Sequence, residues 1–307
     1  MADPQGLPTL YLVDASVYVF RAWHSMPDEF FDEDGAAVNA VHGFARFLME
    51  LLERSRPTHV AVAFDEALES SFRNTLYPAY KANRDPAPES LKRQFGLCQE
   101  FAVALGLTVM SHPRYEADDL IGTLLARQRG LGWRGVIVSA DKDLSQLVGD
   151  ADVQWDYARN LRWDAAGVLE RFGVPPRCIP DYLGLTGDPV DNIPGVPGIG
   201  ARTAAALLAH FGDLDVLLQR VEEVPFLRLR GAAAHAERLR SHRELALLSR
   251  ELARIALDAP LEASVGDAAR GEADPDVLAA LCARLRFGPL SRRRALALAG
   301  VAVAAPA

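Results

Sequence analysis

One repeated pattern constrains this chain most: a short apolar run that leads into an acidic residue, followed by a helical pattern. Four runs read as strands, at residues 9–13, 59–64, 107–111 and 135–139. Each is β-branched or continuously apolar, as expected for strands buried on both faces of a parallel sheet. Helical spacing fills the intervals at 37–54, 90–105 and 117–129. Strand and helix in alternation predict a doubly wound α/β domain with a mostly parallel sheet. From about residue 175 the strands stop. Pro175 and Pro176 open a stretch of helical pattern broken by Gly and Pro, at 180–185, 201–211, 214–221 and 232–256, and residues 275–299 read as one or two further helices. The 307 residues accommodate two such domains.

Composition narrows the class. Half of the residues are hydrophobic and about a quarter charged, the balance of a soluble globular protein, which excludes disorder, collagen and coiled coil. No apolar run approaches the roughly 20 residues of a membrane span. The first ten residues lack the basic and apolar regions of a secretory signal. Cys98, Cys178 and Cys282 have neither metal spacing nor an even disulfide count, and read as buried thiols of a cytoplasmic protein. The net charge of −8 disfavours, at first sight, a nucleic-acid binder with a basic footprint.

The acids are placed more tellingly than their number suggests. Asp14 ends the first run, Asp65 the second, and Asp141 and Asp143 follow the fourth; Glu116, Asp118 and Asp119 open the helix after the third. Ligands of open α/β sheets bind outside the carboxyl ends of the strands. Taken singly, each acid is equally a helix cap or turn residue. Taken together, seven carboxylates at one edge repel unless cations sit among them. With no His or Cys in the clusters, Mg²⁺ or Mn²⁺ fits better than Zn²⁺. Asp188 and Asp191, three residues apart, add two more acids that can face the same way.

Residues 192–200 read Asn-Ile-Pro-Gly-Val-Pro-Gly-Ile-Gly and lead directly into a helical pattern. Glycines permit close approach of backbone to ligand, and a helix N-terminus presents free N–H groups to an anion. No strand precedes this turn, so it is not a dinucleotide fingerprint; a helix–hairpin–helix contact with DNA phosphates fits better, and a plain helix connection is the other reading. Residues 70–95 carry Arg73, Lys81, Arg84, Lys92 and Arg93 against Asp85 and Glu89, with Phe72, Tyr77 and Tyr80 interleaved. Basic and aromatic residues in this mixture suit single-stranded nucleic acid, although a solvated loop with packed aromatics has the same composition. Lys81 is one of only three lysines, beside thirty arginines. Residues 227–254 hold seven Arg against three Glu. The acidic run 28–34 reads as a solvated loop.

Together these stretches resemble the 5′ nuclease family: the 5′→3′ exonuclease domain of bacterial DNA polymerase I, bacteriophage 5′ exonucleases and flap endonucleases. The matching residues are Leu12-Val13-Asp14, Phe64-Asp65, Phe72-Arg73, AYKANR at 79–84, YEADD at 115–119, ADKDL at 140–144, LTGD at 185–188 and DNIPGVPGIG at 191–200. They occur in family order over about residues 9–255. The resemblance implies a PIN-like α/β nuclease domain at 1–174 with a helical arch at about 70–95. An all-α helix–three-turn–helix domain at 175–290 and a tail at 291–307 would follow. No polymerase region follows in this sequence, so the expectation is a stand-alone bacterial member.

The resemblance also implies roles. Asp14, Asp65, Glu116, Asp118 and Asp119 would bind or support one Mg²⁺, and Asp141, Asp143, Asp188 and Asp191 a second, with Mn²⁺ as a substitute. Lys81 and Arg84 would act with Asp118 in catalysis over the scissile phosphate, with Arg73 nearby on the DNA. Main-chain carbonyls of Leu185, Thr186, Pro194, Val196 and Ile199 would hold a K⁺. DNA would lie near Gly198, Ile199, Gly200, Ala201, Arg202 and Thr203. Arg202 stands where the family more often has Lys, a swap that keeps the charge and alters the geometry. All nine metal-site acids are present, which favours an active nuclease over a non-catalytic DNA-structure binder on the same fold. The basic segment argues against a small-molecule phosphatase; an RNA nuclease of similar topology remains open. The implied enzyme is a monomeric, cytoplasmic, Mg²⁺-dependent 5′→3′ exonuclease and flap endonuclease of DNA replication or repair. It would act on 5′ flaps or single-stranded 5′ ends, away from membranes. Setting the nine acids aside leaves 32 against 33 basic residues, so the net charge does not argue against DNA.

Overall fold

The structure is a computed structural model that describes residues 6–66, 71–262, 266 and 268–301. Ser70 and residues 302–307, at the ends of the expected arch and tail, lie outside the described residues. In chain order the elements begin β1 (Thr9–Asp14), α1 (Ala15–Ser25), α2 (Asn39–Ser55), β2 (His59–Ala63), α3 (Phe72–Leu76), α4 (Glu89–Ala104) and β3 (Thr108–Met110). They continue α5 (Ala117–Arg129), β4 (Arg134–Val138), β5 (Val153–Asp156), β6 (Leu161–Trp163), α6 (Ala165–Phe172) and α7 (Ile179–Thr186). The helices α8 (Ala201–Phe211), α9 (Leu214–Gln219), α10 (Ala232–Ser241), α11 (Arg243–Ala253), α12 (Pro275–Arg284) and α13 (Pro289–Leu298) complete the chain. The chain divides into two compact units: residues 1–68, 86–139 and 257–307 form one, and 69–85 with 140–256 the other.

In the first unit four parallel strands lie in the order β3-β2-β1-β4. Leu10 pairs with His59 on one side and Gly135 on the other, and Ala61 with Thr108. Leu12, Val13, Val60, Val62, Ile137 and Val138 are fully buried, which explains why these strands read as unbroken apolar runs. Helix α1 lies where the sequence pattern predicts no element. Val17, Tyr18, Val19 and Phe20 favour strand, but Asp14 caps the helix and the ring of Tyr18 stacks on Phe47 at 3.8 Å. Two helices, α12 and α13, occupy the stretch read as one or two. Arg294 ties α13 to α2 through both oxygens of Glu53, at 2.9 and 2.6 Å, and α13 spans the expected start of the tail. Asp28, Glu29, Glu33 and Asp34 are exposed, as expected of a solvated loop at 28–34, and Asp32 is the exception. It is 1% exposed, pairs with Arg93, and accepts the Ala36 amide at 2.8 Å and the Asp34 amide at 3.1 Å.

The second unit is mainly helical. It also holds an antiparallel hairpin, β5–β6, that the sequence reading passes over; Gln154 faces Trp163 in its register. Strands of four and three residues are too short for a period to register, and only Asn160, in the left-handed region at φ +53°, marks the turn. The expected helix at 232–256 is broken at His242 into α10 and α11. Leu183 and Leu185 of α7 are buried in this unit together with Ala246 and Leu252 of α11, and Leu207 and Leu208 of α8 with Leu217 of α9. The basic segment enters this unit as the five-residue α3, capped by Ser71, followed by tight turns at Tyr77–Tyr80 and Lys81–Arg84.

Candidate functional site

In the first unit the acids gather where β1, β2 and α5 meet. Asp14 Oδ2 accepts from Ser139 Oγ at 2.7 Å, and its Oδ1 lies 3.4 Å from the Val17 amide of α1. Asp65 follows β2; its amide donates to Ser16 Oγ at 2.9 Å and its Oδ1 accepts the Ala117 amide of α5 at 2.8 Å. Glu116 and Asp119 form a reciprocal capping box, with the Glu116 amide on Asp119 Oδ2 at 3.0 Å. Asp118 stands in the first turn of the same helix, partly exposed. Capping and site formation are therefore one device here. The unpaired amides and dipole at the start of α5 stabilise a concentration of anions that would otherwise repel.

In the second unit four more acids converge. The Asp143 amide donates to Asp141 Oδ1 at 2.9 Å. Asp188 accepts the Val190 amide at 3.0 Å, and its backbone pairs with Ile193 through two bonds of 2.8 Å, closing a turn around Asn192 at φ +56°. Carboxylate oxygens of Asp143, Asp188 and Asp191 lie within 4.8 Å of one another. Cations stand against them: Lys142 Nζ is 2.7 Å from Asp188 Oδ2 and 3.9 Å from Asp143 Oδ1. Asp191 accepts from Arg84 and from Tyr80 Oη at 3.2 Å, and Lys81 Nζ stands 3.7 Å away. Lys81 is also held in the left-handed region, φ +54°, with its amide on the Asp191 carbonyl at 3.0 Å. For a non-glycine residue that conformation costs about 1 kcal/mol or more and needs support from its surroundings. Asn192 Nδ2 on the Ala79 carbonyl at 2.6 Å and Asn83 Nδ2 on the Pro189 carbonyl at 2.8 Å supply part of it.

Burial raises the Asp143 carboxyl well above its ordinary range, and the charges of Asp141, Asp188 and Asp191 add to the shift against Lys142. Asp141 is raised for the same first reason, with Asp191 adding to it and the Asp143 amide and Lys142 opposing. Burial works against the Lys142 ammonium, but Asp143, Asp188 and Asp141 together hold it above its ordinary value. Asp143 Oδ1 is buried and accepts no hydrogen bond. An ionised oxygen in that position fits a bound cation, and an all-oxygen donor set fits a hard divalent ion.

The Gly-rich hairpin between α7 and α8 is a close backbone crossing. A Cβ on Gly195 would lie 2.2 Å from the Gly187 nitrogen, and both residues have positive φ. The Val196 amide donates to the Leu185 carbonyl at 2.8 Å and the Ile199 amide to the Val196 carbonyl at 3.0 Å, so two of the five expected K⁺ ligands already accept an amide. Thr186, Pro194 and Ile199 lie in the same crossing. Gly200 opens α8, and Gly198, Gly200, Ala201 and Arg202 are exposed at its N-terminus, with Thr203 half-buried and Ile199 buried beneath. Arg73, by contrast, is buried; its Nε and Nη2 donate to the carbonyls of Leu252 and Arg254 at 2.9 and 2.8 Å. Sequence reasoning gave no role to three participants: Ser139 on Asp14, the Tyr80 hydroxyl on Asp191, and Lys142 on Asp188. Tyr80 and Lys142 stand inside the matched stretches at 79–84 and 140–144, whereas Ser139 leaves no signal in the sequence.

Residues 9–173 match the model of the 5′-3′ exonuclease N-terminal resolvase-like domain, and residues 174–276 that of the 5′-3′ exonuclease C-terminal SAM fold. DNA polymerase I of Rhizobium leguminosarum is 42% identical over 82% of this chain and 25% of its own length. That of Bacillus subtilis is 38% identical over 83% of this chain and 29% of its own. The chain thus spans between a quarter and a third of these curated relatives. Among solved structures, T5 D15 protein co-crystallised with metal ions superposes with a TM-score of 0.65 at 21% identity, covering 95% of this chain and 99% of that one. The catalytic core of Rad2 in complex with DNA substrate superposes at 0.64 and 16% identity, covering 95% and 92%. At these identities the superpositions establish the shared fold. By the two domain models, which follow one another along most of its length, the chain belongs to the 5′-3′ exonuclease family.

Proposed function

We propose that the chain is a structure-specific 5′→3′ DNA exonuclease and flap endonuclease that hydrolyses phosphodiester bonds near 5′ ends. The observation that carries this reading is the meeting of Asp143, Asp188 and Asp191 with Lys81 and Arg84 on one carboxylate cluster. Asp141, Asp143, Asp188 and Asp191 would hold one divalent ion, and Asp14, Asp65, Glu116, Asp118 and Asp119 would hold or support another, Mg²⁺ by the oxygen chemistry of the donors. When bound, such ions lower the pKa of water and offset charge on a reacting phosphate. Lys81 and Arg84 would turn from Asp191 to the phosphoryl oxygens and stabilise the charge that builds there. Tyr80 keeps a hydroxyl on Asp191 as they do so, and buried Arg73 anchors the segment that presents them. The exposed start of α8, with Gly198, Gly200, Ala201, Arg202 and Thr203, would hold a DNA phosphate without reading sequence. The carbonyls of Leu185, Thr186, Pro194, Val196 and Ile199 would take a K⁺ beside it.

On this reading residues 1–174 are the nuclease part, 175–290 the DNA-holding part and 291–307 a tail, acting as a monomer in the cytoplasm. Among the described residues no helix is long and apolar enough to cross a membrane. The test offers the chain a 5′-flap duplex, an RNA of matching sequence and a free nucleotide, each with Mg²⁺ and with chelator. Cleavage confined to the flap and dependent on Mg²⁺ supports the reading. Binding without cleavage would make the chain a DNA-structure binder, and cleavage of RNA or nucleotide alone would reassign the substrate.

A further inference from the structure

The two acids in the loop after β4 share an arrangement that no matched motif contains. Each has its main-chain carbonyl held by a glutamine amide. Gln154, fully buried on β5, donates from Nε2 to the Asp141 carbonyl at 2.5 Å. Gln146 donates from Nε2 to the Asp143 carbonyl at 3.0 Å. Neither amide can turn over without loss. Gln154 Oε1 accepts from Ser145 Oγ at 2.7 Å and from Trp163 Nε1 at 3.2 Å. Gln146 Oε1 accepts the Ile255 amide at 3.0 Å, and its Nε2 also donates to the Ala253 carbonyl at 2.9 Å. Indole and main-chain N–H groups only donate, so the oxygen and nitrogen ends of both side chains are fixed by their partners.

We infer that Gln154 and Gln146 are positioning residues for the Asp141 and Asp143 carboxylates, a role that rests on the metal-dependent reading above. The Asp143 side chain has an oxygen with no hydrogen bond, and the Asp143 amide occupies Asp141 Oδ1. The aim of the Asp143 side chain is therefore set from the backbone beneath it, and the position of the Asp141 main chain is fixed in the same way. Like charges within 4.8 Å push that backbone apart. Gln154 ties it to the β5–β6 hairpin, and Gln146 ties it to the end of α11. A neutral amide suits both positions, because an arginine or lysine there would compete with a bound cation and an acid would add repulsion.

The test uses Gln146→Met and Gln154→Met, which keep an unbranched side chain and remove the amide. Trp163→Phe keeps an aromatic ring but removes the indole N–H that donates to Gln154 Oε1 and Ser145 Oγ, and it keeps the test open should Gln154→Met not fold. Mn²⁺ alone is titrated into each folded protein and followed by electron paramagnetic resonance; kcat and KM on a 5′-flap duplex are measured separately. Supporting groups of this kind are worth on the order of 10–100-fold in metal affinity or activity. The expected result is a loss of that size in Mn²⁺ affinity and in kcat for the methionine variants, a smaller loss for Trp163→Phe, and a KM for DNA within about twofold of wild type. Folded variants with wild-type Mn²⁺ affinity and kcat, whatever their melting temperature, would overturn the inference. A wild-type protein that fails to cut flap DNA, with Mn²⁺ affinity still lost in the variants, would sink the nuclease reading and leave the positioning role standing.

Discussion

Replacing Asp143 by Asn should make the metal-free protein more stable and the metal-bound protein less so. Asp143 is 8% exposed, and its carboxylate lies no more than 4.8 Å from those of Asp188 and Asp191. At an effective dielectric of about 20, each such pair repels by roughly 3.5 kcal/mol, while Lys142 at 3.9 Å returns about 4 kcal/mol. The remainder, about 3 kcal/mol, opposes folding before any cost of burial. Protonation limits that cost. Each pH unit above the ordinary carboxylate value of 3.8 is worth about 1.4 kcal/mol, so at about pH 7 the ceiling is roughly 4 kcal/mol. The side chain gives up little in exchange, because Oδ1 accepts no hydrogen bond. Asp143→Asn should therefore raise the urea stability of the chelated protein by about 3 kcal/mol at neutral pH. The sign with pH follows from a folded pKa raised above the unfolded one. Stability from the protonated form is complete below the unfolded value and is lost as pH rises through the folded one. The gap between variant and wild type should consequently open as pH rises above the ordinary carboxylate value of 3.8 and close in acid. With Mg²⁺ added, wild type should gain stability and the variant gain less. A chelated variant no more stable than wild type at neutral pH would refute the reasoning.

Gly195→Ala should destabilise by roughly 3 kcal/mol or more in urea unfolding, because its Cβ would meet backbone at 2.2 Å in a left-handed conformation. Arg73→Met leaves the Leu252 and Arg254 carbonyls without their guanidinium and should cost about 2–4 kcal/mol in the same assay. Arg202→Ala should weaken DNA binding uniformly across sequences, and the salt dependence of the binding constant should fall by about one phosphate contact in filter-binding titrations. Arg84→Ala should slow flap cleavage by tenfold or more, roughly, while DNA affinity changes by less, as judged by single-turnover rates beside binding isotherms.

Most of the first unit was legible because its signals are local. Leu12, Val62 and Ile137 sit in central parallel strands that water never reaches, so their runs carry no polar interruption. Asp14 and Asp65 could be placed by a rule of topology, since each follows such a run. What escaped depends on distance in sequence. The β5–β6 hairpin declares itself through Gln154 facing Trp163, a pairing that strands of three and four residues cannot advertise. Ser139 reads as an ordinary strand end until it meets Asp14, 125 positions earlier. Asp32 sits in a run that looks like solvated acid, and it is Arg93 that makes a buried residue of it. Arg73 shows the opposite limit: a basic segment read as one surface contains one guanidinium directed inward to two carbonyls. The second carboxylate cluster was legible in its members, and Lys81 and Arg84 were legible as cations beside it through the matched stretch at 79–84; what was not legible is their pairing with Asp191, or that of Lys142 with Asp188, because those contacts join residues far apart in sequence.

The central claim is that these carboxylates run phosphodiester hydrolysis rather than merely hold a fold together. Single-turnover cleavage of a 5′-flap duplex by excess protein, wild type against Asp143→Asn, tests it most directly because binding and folding are then both complete. Wild type should cut with a rate that rises with Mg²⁺ and vanishes with chelator. The variant, bound to the same flap, should cut slower by a factor of about a hundred or more. Equal rates for the two proteins, or an uncut flap held by wild type in Mg²⁺, would contradict the account.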